Sequence, residues 1–351
     1  MKSPLLSSCC FFVLLSAVCS DALVLRGRHE RRTAAEIREF QRARRNQTNK
    51  IHRDFLPLYP EEPLTLEVKI GTPKDKTEPL TYKLALSTAN PSMWTLDVSY
   101  GGLTKDNVPY DRQASKTADY RGPYYSYTDD TQLYGLIYGD VLNFTTLGDY
   151  SLVFKQSFGV VQSATDPDSS VSNPSFPADG VFGLSWDIEH PVVDPDEDSA
   201  PVLNILHRAP DIKRGNYFYT LWLTNSSSPD KDAGRHYDWQ LTFGALDHDH
   251  CDRHYNTTYL DWYTEYAPTT FYMKRFQFGD VITTDVSGEH FMIDTGSPVI
   301  FFPERIYGEM YYSFNPDFDW DLGYYTVDCG ETGDFPDWTS KLEGTKLKEF
   351  A

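Results

Sequence analysis

Asp294 stands in a setting that suits acid–base chemistry. Phe291, Met292 and Ile293 lead into Asp294-Thr295-Gly296, and Val299, Ile300, Phe301 and Phe302 follow Ser297-Pro298. Apolar runs on either side of a small-residue turn read as a buried strand entering a tight turn and leaving as another strand. A carboxylate held in such a turn is shielded from water, and its pKa moves accordingly. An isolated Asp-Thr-Gly arises by chance, so the weight falls on whether the chain repeats the arrangement.

It does, with two changes. Leu84-Ala85-Leu86-Ser87-Thr88-Ala89-Asn90-Pro91-Ser92-Met93-Trp94 aligns with the later segment position for position. Thr88 matches Thr295 and Pro91 matches Pro298, but Ser87 stands where Asp294 stands, and Ala89 where Gly296 stands. Either segment alone fits an ordinary hairpin turn. Two copies in opposite halves indicate an internal two-fold repeat with a cleft between the halves.

The pair resembles the two active-site loops of pepsin-like aspartic peptidases. Further motifs follow in the family's order: Leu66-Glu67-Val68-Lys69-Ile70-Gly71-Thr72-Pro73 resembles the entry strand, and Ala178-Asp179-Gly180-Val181-Phe182-Gly183-Leu184-Ser185 the element threading behind the first loop. Phe218–Leu223 and Leu241–Asp247 resemble the crossover between lobes, closest in pattern to secreted nematode-type members. The resemblance implies an all-β, bilobal fold, with an N-terminal lobe over 64–238 and a second lobe over 239–351. It implies no metal or organic cofactor. In the family two carboxylates share one proton and divide acid from base. With Ser87 in place of one of them, the resemblance implies a cleft that holds a peptide or protein ligand without cleaving it; the alternative is an acid endopeptidase acting through Asp294. Thr88, Thr295 and Gly296 are the expected loop supports.

Tyr124-Tyr125-Ser126-Tyr127, followed by Tyr134-Gly135-Leu136-Ile137, resembles the family's flap, whose tyrosine maps to Tyr127 or to Tyr125, with Trp94 as its contact. Asp129 and Asp130 replace the small residues of the flap tip, and aromatics packed on an ordinary sheet account for the segment equally. His248 to His254, with Cys251, offers zinc-type donors. Neighbours in an extended segment point to opposite faces, however, so an exposed polar turn is the expectation and no metal is implied.

The ends carry their own signals. Met1-Lys2, an apolar run through Leu15 and the small residues to Ser20 read as a secretory signal peptide over 1–20, and no later run is long enough to span a bilayer. The expected destination is the cell exterior or a lysosome-like acidic compartment. Only Cys251 and Cys329 remain after that leader, and an exported pair favours a disulfide; in the resembled family, Cys329's counterpart pairs further downstream. Sequons at Asn46, Asn143, Asn225 and Asn256 are candidate glycan sites.

Residues 24–55 carry ten Lys/Arg against four Asp/Glu, a net of +6, whereas the chain from Leu56 onward holds −25 of the total −19. Within the segment 21–63, Thr33 to Arg45 has helix-forming composition. By the resemblance it is a propeptide docked on the acidic body; a solvated tail or an anionic surface are the other readings. Nucleic acid is not an expected partner of so acidic a body. The tail Lys341–Ala351 is polar and offers no apolar run, so no closing strand is expected there. The second lobe reads as truncated, its uncovered edges to be met by a homodimer or another partner.

Overall fold

The computed structural model describes residues 11–12, 23–27, 64–75, 78–128, 131–145, 151–165, 172–185, 196–210, 212–214, 217–223, 239–247, 259–260, 270–278, 282–296, 302, 304–314, 316–319, 324–326, 338–342 and 344–345. Strands dominate. In chain order they are β1 (Phe11–Phe12), β2 (Leu23–Gly27), β3 (Thr65–Ile70), β4 (Thr81–Ser87), β5 (Met93–Leu96), β6 (Asp119–Thr128), β7 (Thr131–Thr145), β8 (Ser151–Thr165) and β9 (Gly180–Gly183). After helix α1 (Pro201–Arg208) come β10 (Tyr219–Leu223), β11 (Trp239–Phe243), β12 (Tyr259–Leu260), β13 (Thr270–Phe278) and β14 (Ile282–Met292). Helix α2 (Glu304–Phe314) then precedes β15 (Asp317–Asp319), β16 (Tyr324–Thr326), β17 (Trp338–Leu342) and β18 (Gly344–Thr345).

The first half is a seven-stranded sheet in the order β3-β4-β9-β5-β8-β7-β6, with β7 also pairing to β3. Alternation explains β4: Tyr82, Leu84 and Leu86 face the core while Thr81 and Lys83 are exposed. Toward its end both faces become buried, because β9 slots in parallel beside it and antiparallel to β5. β9 therefore separates the strand entering the first loop from the strand leaving it. That insertion demands Gly183, where an added Cβ would lie 2.3 Å from the Asn90 carbonyl oxygen and 2.5 Å from that of Ser92.

A second sheet runs β1-β10-β11-β2. Leu23 and Leu25 of β2 are buried beside Trp239, Leu241 and Phe243, in the same core cluster as Leu84 and Leu86. Residues 11–12, in the stretch expected to be a leader, and 23–27, in the expected propeptide segment, each contribute a strand here, β1 on β10 and β2 on β11, with Arg26 opposite Gln240. The position 238/239 proposed as the lobe boundary falls between β10 and β11, which pair along five residues. Thr33 to Arg45 lies outside the described residues.

In the second half β13 pairs with β14 on one side and β17 on the other. The polar tail was expected to supply no strand; it supplies the end of β17 and all of β18, the latter paired with β12. Pairing at a sheet edge is made by backbone groups and tolerates a solvated face, so it needs no apolar run. Among the described residues no helix is long and apolar enough to cross a membrane.

Candidate functional site

The ends of β4 and β14 bring the two loops together. Ser87 Oγ donates to Asp294 Oδ1 at 3.1 Å, and the Gly296 N–H donates to the same oxygen at 2.8 Å. An added Cβ on Gly296 would come within 3.3 Å of Ser87 Cβ, so the glycine permits this approach. Ser87 is buried and Asp294 half-buried. Burial pushes the Asp294 carboxyl above its ordinary range, and the Gly296 N–H, the Ser87 hydroxyl and the Ala89 N–H pull part of the way back by bonding the charged form.

Beneath this contact the two threonines interlock. The Thr88 N–H donates to Thr295 Oγ1 at 3.2 Å, and the Thr295 N–H donates to Thr88 Oγ1 at 3.1 Å. Each hydroxyl then donates across to the other loop's strand, Thr88 Oγ1 to the Ile293 carbonyl at 2.7 Å and Thr295 Oγ1 to the Leu86 carbonyl at 2.8 Å. The first loop is braced from behind: the Leu184 N–H donates to the Ser87 carbonyl at 2.8 Å and the Ser185 N–H to that of Asn90 at 3.2 Å.

β6 and β7 form the long hairpin expected of the flap segment, paired from Asp119↔Gly139 to Thr128↔Thr131 around Asp129 and Asp130, which lie outside the described residues. Trp94 is buried, its ring edge-on to Phe176 at 5.2 Å. Tyr125 is 53% exposed and packs its ring on Tyr134 at 5.2 Å. Tyr127 lies on β6, paired with Gln132. The tyrosine packed against the Trp94 cluster is Tyr124, which the sequence reading did not single out. Its ring lies over Gly159, where a Cβ would sit 2.5 Å from it, and burial raises its hydroxyl to about 12. The strand period puts Tyr124 on the face opposite Tyr125 but does not say which of the two faces turns inward.

Asn143 lies on β7 between Lys69 and Val153, half-buried and alternating with the buried Leu142 and Phe144. Asn46, Asn225, Asn256, Cys251, Cys329 and the His248–His254 segment lie outside the described residues.

The architecture is thus that of a two-lobed β-protein whose halves meet through matching loops. Residues 65–348 match the family model described as eukaryotic aspartyl protease, and the chain belongs to that family. Among curated proteins it is similar to aspartic protease 17 of Caenorhabditis elegans, 25% identical over 291 residues that cover 79% of this chain and 67% of the relative. Among solved structures it resembles the aspartic proteinase of Irpex lacteus, with a TM-score of 0.56 and 16% identity over 82% of this chain and 75% of the other. The last likeness concerns the fold.

Proposed function

We propose that this protein is a non-cleaving member of its family that holds a peptide or protein segment in the cleft between its lobes. The observation that carries the reading is the 3.1 Å hydrogen bond from Ser87 to Asp294. Family chemistry needs two carboxyl groups at this spacing, sharing one proton so that one activates water while the other donates to the carbonyl. A serine hydroxyl stays neutral near pH 7 and cannot exchange those roles. Losing one member of a cooperative set costs several orders of magnitude in rate. The threonine interlock and the braced loops support retention of shape where the chemistry is lost.

A second reading, an acid endopeptidase, draws on one observation: Asp294 is retained and half-buried, with its carboxyl held protonated to a higher pH than usual. Digestion of a peptide library at acid pH by purified protein, beside an Asp294→Asn variant, separates the two. Products common to both reactions or to neither support the binder; products that vanish only in the variant overturn it. Peptides retained on the immobilised protein from the same library are the positive outcome.

Around that core we place export and processing. The leader is removed near Ser20, and the segment 21–63 acts as a propeptide whose arginines pair with body carboxylates. The strand β2, held by backbone pairing and by buried Leu23 and Leu25, supports a fixed attachment for that segment. A Cys251–Cys329 disulfide and glycans on the exported protein complete the proposal. Sequencing the N-terminus of secreted protein tests the leader, since retention of Met1 would exclude cleavage, and intact mass before and after reduction and deglycosylation tests the rest.

A further inference from the structure

Beside the first loop lies a cavity of about 370 Å³, walled by Pro91–Met93 of the loop, Tyr124 and Ile137 of the hairpin, Phe158 of β8 and the start of α1. Met93, Ile137 and Phe158 give it an apolar side, and the buried Gln156 and Ser199 a polar one. Its rim is charged, with Arg121 and Asp198 both lining it. The rim is also built. Gln156, almost fully buried, donates through Nε2 to the carbonyls of Glu197 and Ser199 at 3.2 and 2.8 Å, and accepts from Asn204 of α1 at 2.9 Å. That fixes the segment carrying Glu197 and Asp198 against β8.

The charge balance of the rim selects the occupant. Arg121 donates to Glu197 and stands 3.2 Å from Asp119 and 3.6 Å from Asp198. Lys155 lies 3.6 Å from Asp119 and 3.4 Å from Glu197. Three carboxylates thus face two cations. A further guanidinium would complete the set, whereas a further carboxylate would be a fourth anion against an arginine already engaged by three. Of the three carboxylates, Asp198 is the one that lines the cavity, with 57% of its side chain exposed.

We propose that this cavity is a subsite for a basic side chain, with the aliphatic stem against Met93, Ile137 and Phe158 and the cationic head at Asp198. The proposal rests on the peptide-binding reading and names the residue class such a peptide carries next to the first loop. Long cationic side chains suit a site of this kind, because they bury methylenes while the head stays at the water boundary.

The test uses full-length protein labelled with ¹³C at methionine methyls. The chain has five methionines, and a Met93→Leu variant assigns the Met93 signal. The protein is titrated with n-butylguanidinium, n-pentanol and pentanoate. The guanidinium should shift the Met93 methyl at the lowest concentration and pentanoate at the highest. Asp198→Asn should weaken guanidinium binding about threefold, the scale of one solvent-exposed ion pair, and leave pentanol unchanged. A Met93 signal indifferent to the guanidinium, a preference for pentanoate, or equal guanidinium affinity in Asp198→Asn would each overturn the subsite. The probes contain no peptide bond, so a negative result here leaves the peptide-retention assay to judge the cleft reading by itself.

Discussion

Thr88 and Thr295, 207 residues apart in the chain, donate their backbone N–H groups to each other's hydroxyl oxygens at 3.2 and 3.1 Å. Because each hydroxyl also donates to a carbonyl beside the opposite loop, four hydrogen bonds join the halves at the base of the Ser87–Asp294 contact. The serine and the aspartate are near each other because the threonines are locked.

Replacing either threonine by valine keeps the shape, removes a donor and an acceptor, and leaves a buried carbonyl and N–H without their partners. Each substitution should therefore cost about 1–3 kcal/mol of stability. The double variant should cost less than the two single losses together, because the four bonds depend on one shared loop contact that the first substitution already loosens. Urea unfolding of the four proteins measures this; strictly additive losses would show that the two threonines do not act as a unit.

Stability should respond to pH through Asp294 with a definite sign. Its folded pKa lies above its unfolded value of about 3.9, because burial penalises the anion. Its contribution is then fully present below the unfolded pKa and is lost as pH rises through the folded one. Asp294→Asn removes that loss. The melting temperature of the variant, relative to the parent, should therefore rise between acid and neutral pH; a flat difference would mean the carboxyl is not desolvated.

Gly183 and Gly308 should answer in opposite directions when changed to alanine. At Gly183 the new methyl meets backbone atoms of Asn90, Pro91 and Ser92, which no rotamer change can move aside. The cost should be about 1–3 kcal/mol or more. At Gly308, inside α2, nothing lies within 4 Å of the added Cβ, and the variant should gain about 0.5–1 kcal/mol from helix propensity. Equal effects at the two positions would contradict the threading of β9 behind the first loop.

The sequence revealed the loops for a physical reason. A buried strand–turn–strand with a polar residue at its centre leaves a dense local pattern around Ser87 and Asp294, and it occurs twice. The strand β9 was legible too, since Gly180 and Gly183 flank the point where backbones come closest. Tyr124 was not: a strand with tyrosines at 124, 125 and 127 has aromatics on both faces, so period two alone does not tell which face turns inward. β17 and β18 were hidden because edge pairing is carried by backbone groups common to every sequence. β2 was obscured by its neighbourhood, where the basic composition drew attention from the buried alternation of Leu23 and Leu25.

Ser87→Asp gives the sharpest test of what this site has lost. The new carboxylate would stand about where the serine hydroxyl now approaches Asp294, in a buried position. Two carboxylates so placed cannot both ionise freely, so the pair should retain a proton, with one apparent pKa raised well above that of Asp294 alone. A raised folded pKa makes a contribution that is present in acid and lost as pH rises through it. The variant should thus be destabilised against the parent at neutral pH, with the deficit shrinking as pH falls through the raised folded pKa and levelling off below the unfolded carboxyl value of about 4. Melting curves across that range, with Ser87→Asn as the neutral control of similar size, read the effect directly. If the deficit of Ser87→Asp is independent of pH and equals that of Ser87→Asn, the cause is volume and not charge, and the two positions are not electrostatically coupled.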